Sequence, residues 1–483
     1  MLRVRGGAGP VTIAFVLAGS GVAAALVLGA PAVGVGTLSA TAAAVVVACA
    51  AWNVWGLGAP ATAPWGLYMG ALAAFHLGLI VPWSAGLVEA PTWLPQVSTV
   101  LLERTLLCIV LAFCCLELGL LLGWRGLQAR DAWRGAPARA QRQQSAFYSG
   151  GIAVAMMASL AAATNIWWIG IERFLSHSYG YELFAMTDSR LLQMGLFWLL
   201  PAGALVAFVG ARPGIETKAV LSLATFVVLV LLWAGDRSGA MSFLGAAAMV
   251  WTYRRGPLSR RVLLPAVLVC AGLMPMVAAV RQLPRRDVTL AAIQNAAAAA
   301  SPLAASSEMG NSVRVLVETL RRVPGEFPYR RGQSYAGALR RVVPNVGLST
   351  SQDDWNDPEA MPPNHWITYV VAPWTYAAFG GLGFSAVAEP YLNFGVAGIV
   401  GYFLALGWVL GRVDVALVRR PSRRNVALVA VVLMPLLITA RNDFHNFLRP
   451  ALWGMAVVVV VEWLHGAPRP VSRPVPMRAR ARA

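Results

Sequence analysis

Long apolar blocks alternate with short polar ones along most of this chain. Twelve blocks read as membrane-spanning helices, which need about 20 predominantly apolar residues each. They are 10–30, 33–52, 65–83, 98–123, 148–170, 191–210, 219–234, 238–253, 262–280, 389–411, 425–440 and 447–465. The first begins behind Arg3 and Arg5, as a cleaved signal peptide also would, but it is long and runs into a second, so an uncleaved first span is expected. The alternation fails once, over 281–388, where the chain turns charged, proline-rich and aromatic. A polar segment of that size inside a compact fold points to function or disorder. The pattern thus predicts spans one to nine within 1–280, a large loop over 281–388, spans ten to twelve within 389–465, and a tail over 466–483.

The loop carries its own periodicity. An alanine-rich stretch from Asp287 to Ala300 stops at Ser301-Pro302. Beyond it Val313, Leu316, Val317 and Leu320 recur at helical spacing, which predicts an amphipathic helix lying on the membrane or on the bundle. The segment Gly332-Gln333-Ser334-Tyr335 then leads into a short helix that ends near Val343, before Pro344.

Composition supports this pattern. The chain of 483 residues is 58% hydrophobic and 12% charged, with mean hydropathy +0.62, whereas soluble domains carry about 25% charged residues. An all-α polytopic membrane protein is expected. Its formal charge of +18 would suggest nucleic acid in a soluble chain, but the cations follow topology. With the N-terminus inside, every short basic turn falls on one side, including Arg254, Arg255, Arg260 and Arg261, then Arg412, Arg419, Arg420, Arg423 and Arg424. That is the cytoplasmic side by the positive-inside rule. Both termini are expected there, with the arginine-rich tail on anionic lipid. The five cysteines, at 49, 108, 114, 115 and 270, all lie in apolar blocks and offer no disulfide framework.

The opposite, outer side holds the candidate chemistry. Arg237, Arg281 and Arg441 stand at three helix ends there, where they converge on an anionic group or else snorkel or pair with neighbours such as Asp236 or Asp443. Glu103 and Arg104 are adjacent, so they do not share a helix face and seek partners on other helices; Glu117 lies in the same block. The run Asp353, Asp354, Asp357, Glu359 lacks the spacing of an EF-hand and reads as a solvated turn, so no metal site is assigned. His365 and His445 titrate in the range of a general base, or serve as structural histidines. Glu389 sits where the chain re-enters the membrane, a costly place for an acid unless it is paired or used.

These residues resemble a known family. The Arg-containing turn after Trp-Ala-Gly-Asp, then Gly332-Gln333-Ser334-Tyr335 with its helix and Pro344, then Gly383-Phe384-Ser385, Glu389, Tyr391-Leu392-Asn393-Phe394-Gly395 and Gly398 look like the Wzy-type O-antigen and exopolysaccharide repeat-unit polymerases. The likeness covers about 230–450; the first two hundred residues match in hydropathy alone. It implies a GT-C-like, metal- and cofactor-independent glycosyltransferase of the inner membrane. Such an enzyme moves a glycan from undecaprenyl pyrophosphate to an incoming lipid-linked repeat unit on the outer face. A chain-length regulator and a flippase are the implied partners.

In that chemistry Arg237, Arg281 and Arg441 would hold the pyrophosphate leaving group, and His365, His445 or Glu389 would take the acceptor's proton. Gln333, Tyr335, Tyr391, Asn393 and His445 would line the sugar site. Arg237→Ala and Arg281→Ala are expected to abolish polymer at normal protein level. An O-antigen ligase shares donor and architecture, although the Glu-Pro-Tyr-Leu-Asn-Phe-Gly re-entry favours a polymerase. A flippase is the rival of a different class. The two halves show no internal repeat and no matched broken helices to support it.

Overall fold

A computed structural model describes residues 33–125, 144–176, 194–259, 289–299, 302–342, 360–377 and 380–464, with isolated residues inside 18–25 and 261–265. The described regular structure is helical, without strands. Its first seven long helices are α1 (Val35–Ala51), α2 (Pro64–Leu77), α3 (Thr99–Gly123), α4 (Gln144–Ile169), α5 (Leu200–Gly210), α6 (Ile215–Trp233) and α7 (Arg237–Arg255). The insertion supplies α8 (Pro302–Gly310), α9 (Val313–Arg322), α10 (Gln333–Arg340) and α11 (Pro363–Val371). The bundle closes with α12 (Ala388–Arg419), α13 (Arg423–Thr439) and α14 (Phe444–Leu464).

Among the described residues six helices are long and apolar enough to cross a membrane: α1 extended to Gly56, α3, the Ala146–Ile169 part of α4, α6, α12 and α14. The chain is a multi-pass membrane protein. The other expected spans divide. The block 65–83 is broken into α2 and a short helix, Ile80–Ser84, at Gly78 and Leu79, whose backbone packs closely against α8 at Ser306 and Gly310. The block 191–210 forms the shorter apolar helix Met194–Gly210, while 238–253 and 425–440 form α7 and α13. The blocks 10–30 and 262–280 lie largely outside the described residues, as does the tail.

Close helix contacts rest on small residues. Gly119 and Gly123 of α3 face Gly407 and Gly411 of α12, with backbone atoms in van der Waals contact. A methyl group at Gly407 would press into the Leu116 carbonyl oxygen. Gly407→Ala is therefore expected to destabilise the bundle by about 1–3 kcal/mol, the usual cost of overpacking. Thermal unfolding in detergent reads this directly, and an unchanged midpoint would contradict the packing.

The two ends of the bundle differ in chemistry. At one end α8 and α9 sit over the starts of α3, α7 and α12 and the end of α2. Ser306 donates to the Gly78 carbonyl (2.9 Å), and the Trp93 indole donates to Asn311 (2.7 Å). The opposite end gathers the arginine-rich turns around Asp414, which accepts from Trp124 (3.2 Å) and Tyr253 (3.4 Å).

Local expectations within this frame hold. The amphipathic helix is α9, with Val313, Leu316, Val317 and Leu320 buried, and it lies on the bundle against α3 and α12. Glu103 accepts from the Gly34 N–H (3.0 Å), Arg104 donates to Tyr391 (3.0 Å), and Asn53 donates to Glu117 (2.9 Å). All three ionisable groups of α3 are thus partnered on other elements, which is what makes them tolerable inside an apolar helix.

Candidate functional site

The site is assembled where α12 begins. Ser385 starts that helix: its hydroxyl accepts from the Val387 and Ala388 N–H groups (3.1 and 3.2 Å), as an N-cap does. The same hydroxyl is 2.7 Å from His76 Nε2 on α2. His76 Nδ1 lies 2.9 Å from the Leu72 carbonyl, so Nδ1 carries the proton and Nε2 accepts from Ser385. One turn on, Glu389 is buried. One carboxylate oxygen accepts from the Ser334 hydroxyl of α10 (2.7 Å), the other from the Phe444 N–H that opens α14 (2.7 Å). Asn393 follows on the same face, donates to Ser334 (2.8 Å) and to the Glu389 carbonyl (2.9 Å), and accepts from the Gly332 N–H (2.9 Å).

Gly395 ends this short helical segment. Its φ of 63° and ψ of −148° interrupt α12, a conformation that strains any L-residue. The interruption frees the Leu392 and Asn393 carbonyls, which accept from Arg330 and Arg331 of the insertion (3.0 Å each). The insertion is thus hydrogen-bonded into the broken helix, and α10 is held over Glu389 from three directions.

Beside Glu389 lies a second buried carboxylate, Asp443, in the turn between α13 and α14. It accepts from the Asn364 N–H (3.1 Å) and the Asn446 amide (2.7 Å). Burial pushes it above the usual carboxylate range, and those donors pull it back. His365, on the first turn of α11, faces Asp443, His445 and Arg341, and its ring meets the edge of Tyr376 at 6.1 Å. Arg449 joins this group, with its Nε donating to the Arg341 carbonyl (2.7 Å). Tyr335 stands edge-on to Phe444 at 5.4 Å. Two buried polar atoms in this layer, the Tyr335 hydroxyl and His445 Nδ1, have no hydrogen-bond partner among the described residues. Such atoms cost free energy unless something polar meets them.

Burial lowers the His365 pKa to about 4; His445 and Arg341 push the same way and Asp443 opposes them. The ring is therefore neutral at pH 7 and gains its proton only as pH falls through about 4, so its lone pair is free in the neutral range but it is a weak base there until a neighbouring charge favours its imidazolium form. NMR titration of carbon-labelled imidazoles should place its midpoint near 4, with Asp443→Asn lowering it further. A midpoint at the ordinary 6.5 would mean that the ring is open to water.

The other sequence candidates fall as follows. Arg237 is 7% exposed and binds Glu308 of α8 through both terminal nitrogens (2.8 and 2.5 Å). Its expected neighbour Asp236 caps α7 through the Gly239 N–H (2.8 Å) and feels the charges of both Arg441 and Arg237. Arg441 also holds the re-entering chain, its carbonyl accepting from the Phe384 N–H (2.7 Å). Tyr391 is buried and turned toward α3, its hydroxyl accepting from Arg104 and donating to the Val323 carbonyl (3.3 Å). Gln333 is exposed on the first turn of α10. Arg281 and the acidic run 353–359 lie outside the described residues.

The structure brings together Glu389, Asn393, Tyr335, His365 and His445, and links Arg237 to Arg441 through Asp236. Sequence reasoning missed Arg341, Arg449, Glu308 and His76 as members of this end, and took Ser334 only as part of the Gly332-Gln333-Ser334-Tyr335 motif, not as a site residue. Of the four missed, His76 carried a signal, as an ionisable residue within an apolar block.

The family model described as O-antigen polysaccharide polymerase Wzy matches residues 146–464. No curated protein and no solved structure matches the chain.

Proposed function

The chain belongs to the O-antigen polysaccharide polymerase Wzy family, and from that premise we propose that it joins undecaprenyl-pyrophosphate-linked repeat units at the insertion end of the bundle, on the outer face of the inner membrane. The acceptor's sugar hydroxyl attacks the anomeric carbon of the donor glycan. The bond from that carbon to the pyrophosphate oxygen breaks, the electron pair leaves with the pyrophosphate, and the hydroxyl proton passes to a base. His365 is that base, since it is neutral at pH 7 and faces a carboxylate that steadies the imidazolium it becomes. Arg441, Arg341 and Arg449 supply positive charge on the same side for the leaving group.

The observation that carries this reading is the buried layer formed by Glu389, Asp443 and the two histidines. Within it the Tyr335 hydroxyl and His445 Nδ1 have no hydrogen-bond partner among the described residues. A sugar ring offers hydroxyls to both and an apolar face to the Tyr335–Phe444 pair. Glu389 has both oxygens engaged, so it holds α10, α12 and α14 in place rather than moving the proton.

The test is glycan analysis of a deletion strain carrying wild-type or His365→Ala protein. Wild type should restore long polymer; the variant should leave single repeat units, on the lipid carrier or capped on the surface. Long polymer stranded on the carrier in the deletion strain would instead indicate a ligase. Repeat units trapped on the inner leaflet would indicate a flippase.

A further inference from the structure

The half of α3 that lies away from the insertion holds a carboxyl group that the bundle satisfies only on one side. Glu117 is wholly buried inside this span, and Asn53, also wholly buried, meets it. Asn53 stands in a π-helical turn, Trp52–Gly56, that continues α1. Such wide turns are kept mostly where they serve a site. The Asn53 amide donates to one Glu117 oxygen (2.9 Å). The other Glu117 oxygen and the Asn53 carbonyl oxygen are both buried and have no hydrogen-bond partner among the described residues. The Trp52 indole N–H, the neighbouring donor along the chain, bonds to neither.

Two buried acceptors without a donor are costly, and an ionised carboxylate without a counter-charge in an apolar interior is costlier still. Among the described residues no cation pairs with Glu117. The titratable groups that face it are the Cys49 thiol of α1 and the Cys114 thiol one turn back on α3. Asp414 of α12 bonds to Trp124 beyond the end of α3, while His76 of α2 and the charges of α9 belong to the insertion end. A hard metal ion would need about six oxygens, and no group of three or more metal-ligating side chains occurs among the described residues. One proton suffices. On the free Glu117 oxygen it turns an acceptor into a donor toward the Asn53 carbonyl, so that acid and amide share two hydrogen bonds and no charge remains.

We propose that Glu117 and Asn53 form a proton-binding site inside the bilayer, where Glu117 is held as a neutral carboxylic acid that fastens α3 to the end of α1. The site is separate from the insertion end and independent of the reaction proposed there.

Infrared spectra of the purified full chain in detergent test it at about pH 6, where an ordinary carboxyl group is ionised. Subtracting the spectrum of Glu117→Gln should leave a protonated-carboxyl carbonyl band that shifts on exchange into heavy water. A carboxylate band in its place would overturn the site. Thermal unfolding gives a second measure. The folded chain holds this proton and the unfolded chain releases it, so the wild-type midpoint should fall relative to that of Glu117→Gln by about 1–2 °C per pH unit between about pH 5 and 7. A difference that does not change with pH would overturn the proposal, and a wild-type midpoint that rises with sodium rather than with acid would replace the proton by a cation. Glu117→Gln keeps the shape and both hydrogen bonds of the neutral acid, so it should fold; a variant that fails to fold would count equally against the site.

Discussion

Replacing Glu389 by glutamine is expected to abolish polymer while the protein still reaches the membrane. The substitution changes almost no volume, so the effect must come from hydrogen bonding. Ser334 donates to one Glu389 oxygen and accepts from the Asn393 amide, while the Phe444 N–H donates to the other oxygen. An amide nitrogen in the first position would donate to Ser334, whose hydroxyl proton is then left without its acceptor. Flipped, that nitrogen faces the Phe444 N–H, donor against donor. Either arrangement orphans a buried group at a cost of about 1–3 kcal/mol, which loosens α10 over the layer holding His365 and Asp443. A displacement of about 1 Å in a positioned site is enough to lower a rate by about a hundredfold. Polymer ladders from a complemented deletion strain, normalised to membrane protein by immunoblot, measure the result. Ser334→Ala removes one donor without creating a clash of donors and should give a shorter ladder rather than none. A normal ladder from Glu389→Gln would show that the carboxylate does not organise the site.

What the sequence could and could not announce follows from the range of each interaction. The register of α9 was legible because Val313, Leu316, Val317 and Leu320 are read at a helical period within one element. The start of α10 at Gln333 and the re-entry at Glu389 were legible from glycine, proline and polarity changes beside them. The interruption at Gly395 was not, since a glycine within a helical pattern is more often tolerated than broken. The partners of the ionisable residues were the least legible. Glu308 meets Arg237 across 71 residues, and His76 meets Ser385 across 309. No local period encodes such pairs; they exist because α2, α7 and α8 come together at one end. For the same reason the sequence joined Arg237 to Asp236, its neighbour by position, and passed over Glu308 in the insertion.

That pairing gives Arg237 a second possible task, and the two tasks predict different companions. As a ligand of the pyrophosphate, Arg237 would act alone, and Glu308 would compete for it. As a fastening of α8 to the bundle, it acts only with Glu308. The bidentate geometry and the 7% exposure of Arg237 favour the fastening. Glu308 remains 36% exposed, so water screens the pair, and its loss is worth about 1–2 kcal/mol rather than the larger value of a dry pair. Arg237→Ala is expected to abolish polymer on either account. Glu308→Ala decides between them: it should lower polymer at least tenfold, and the exchanged pair Arg237→Glu with Glu308→Arg should recover part of the ladder. If Glu308→Ala instead leaves polymer at or above wild-type length and the exchange rescues nothing, the guanidinium is engaged by substrate. The insertion would then be held by its remaining contacts: Ser306 on Gly78, Asn311 on Trp93, and the backbone bonds of Arg330 and Arg331 to the broken start of α12.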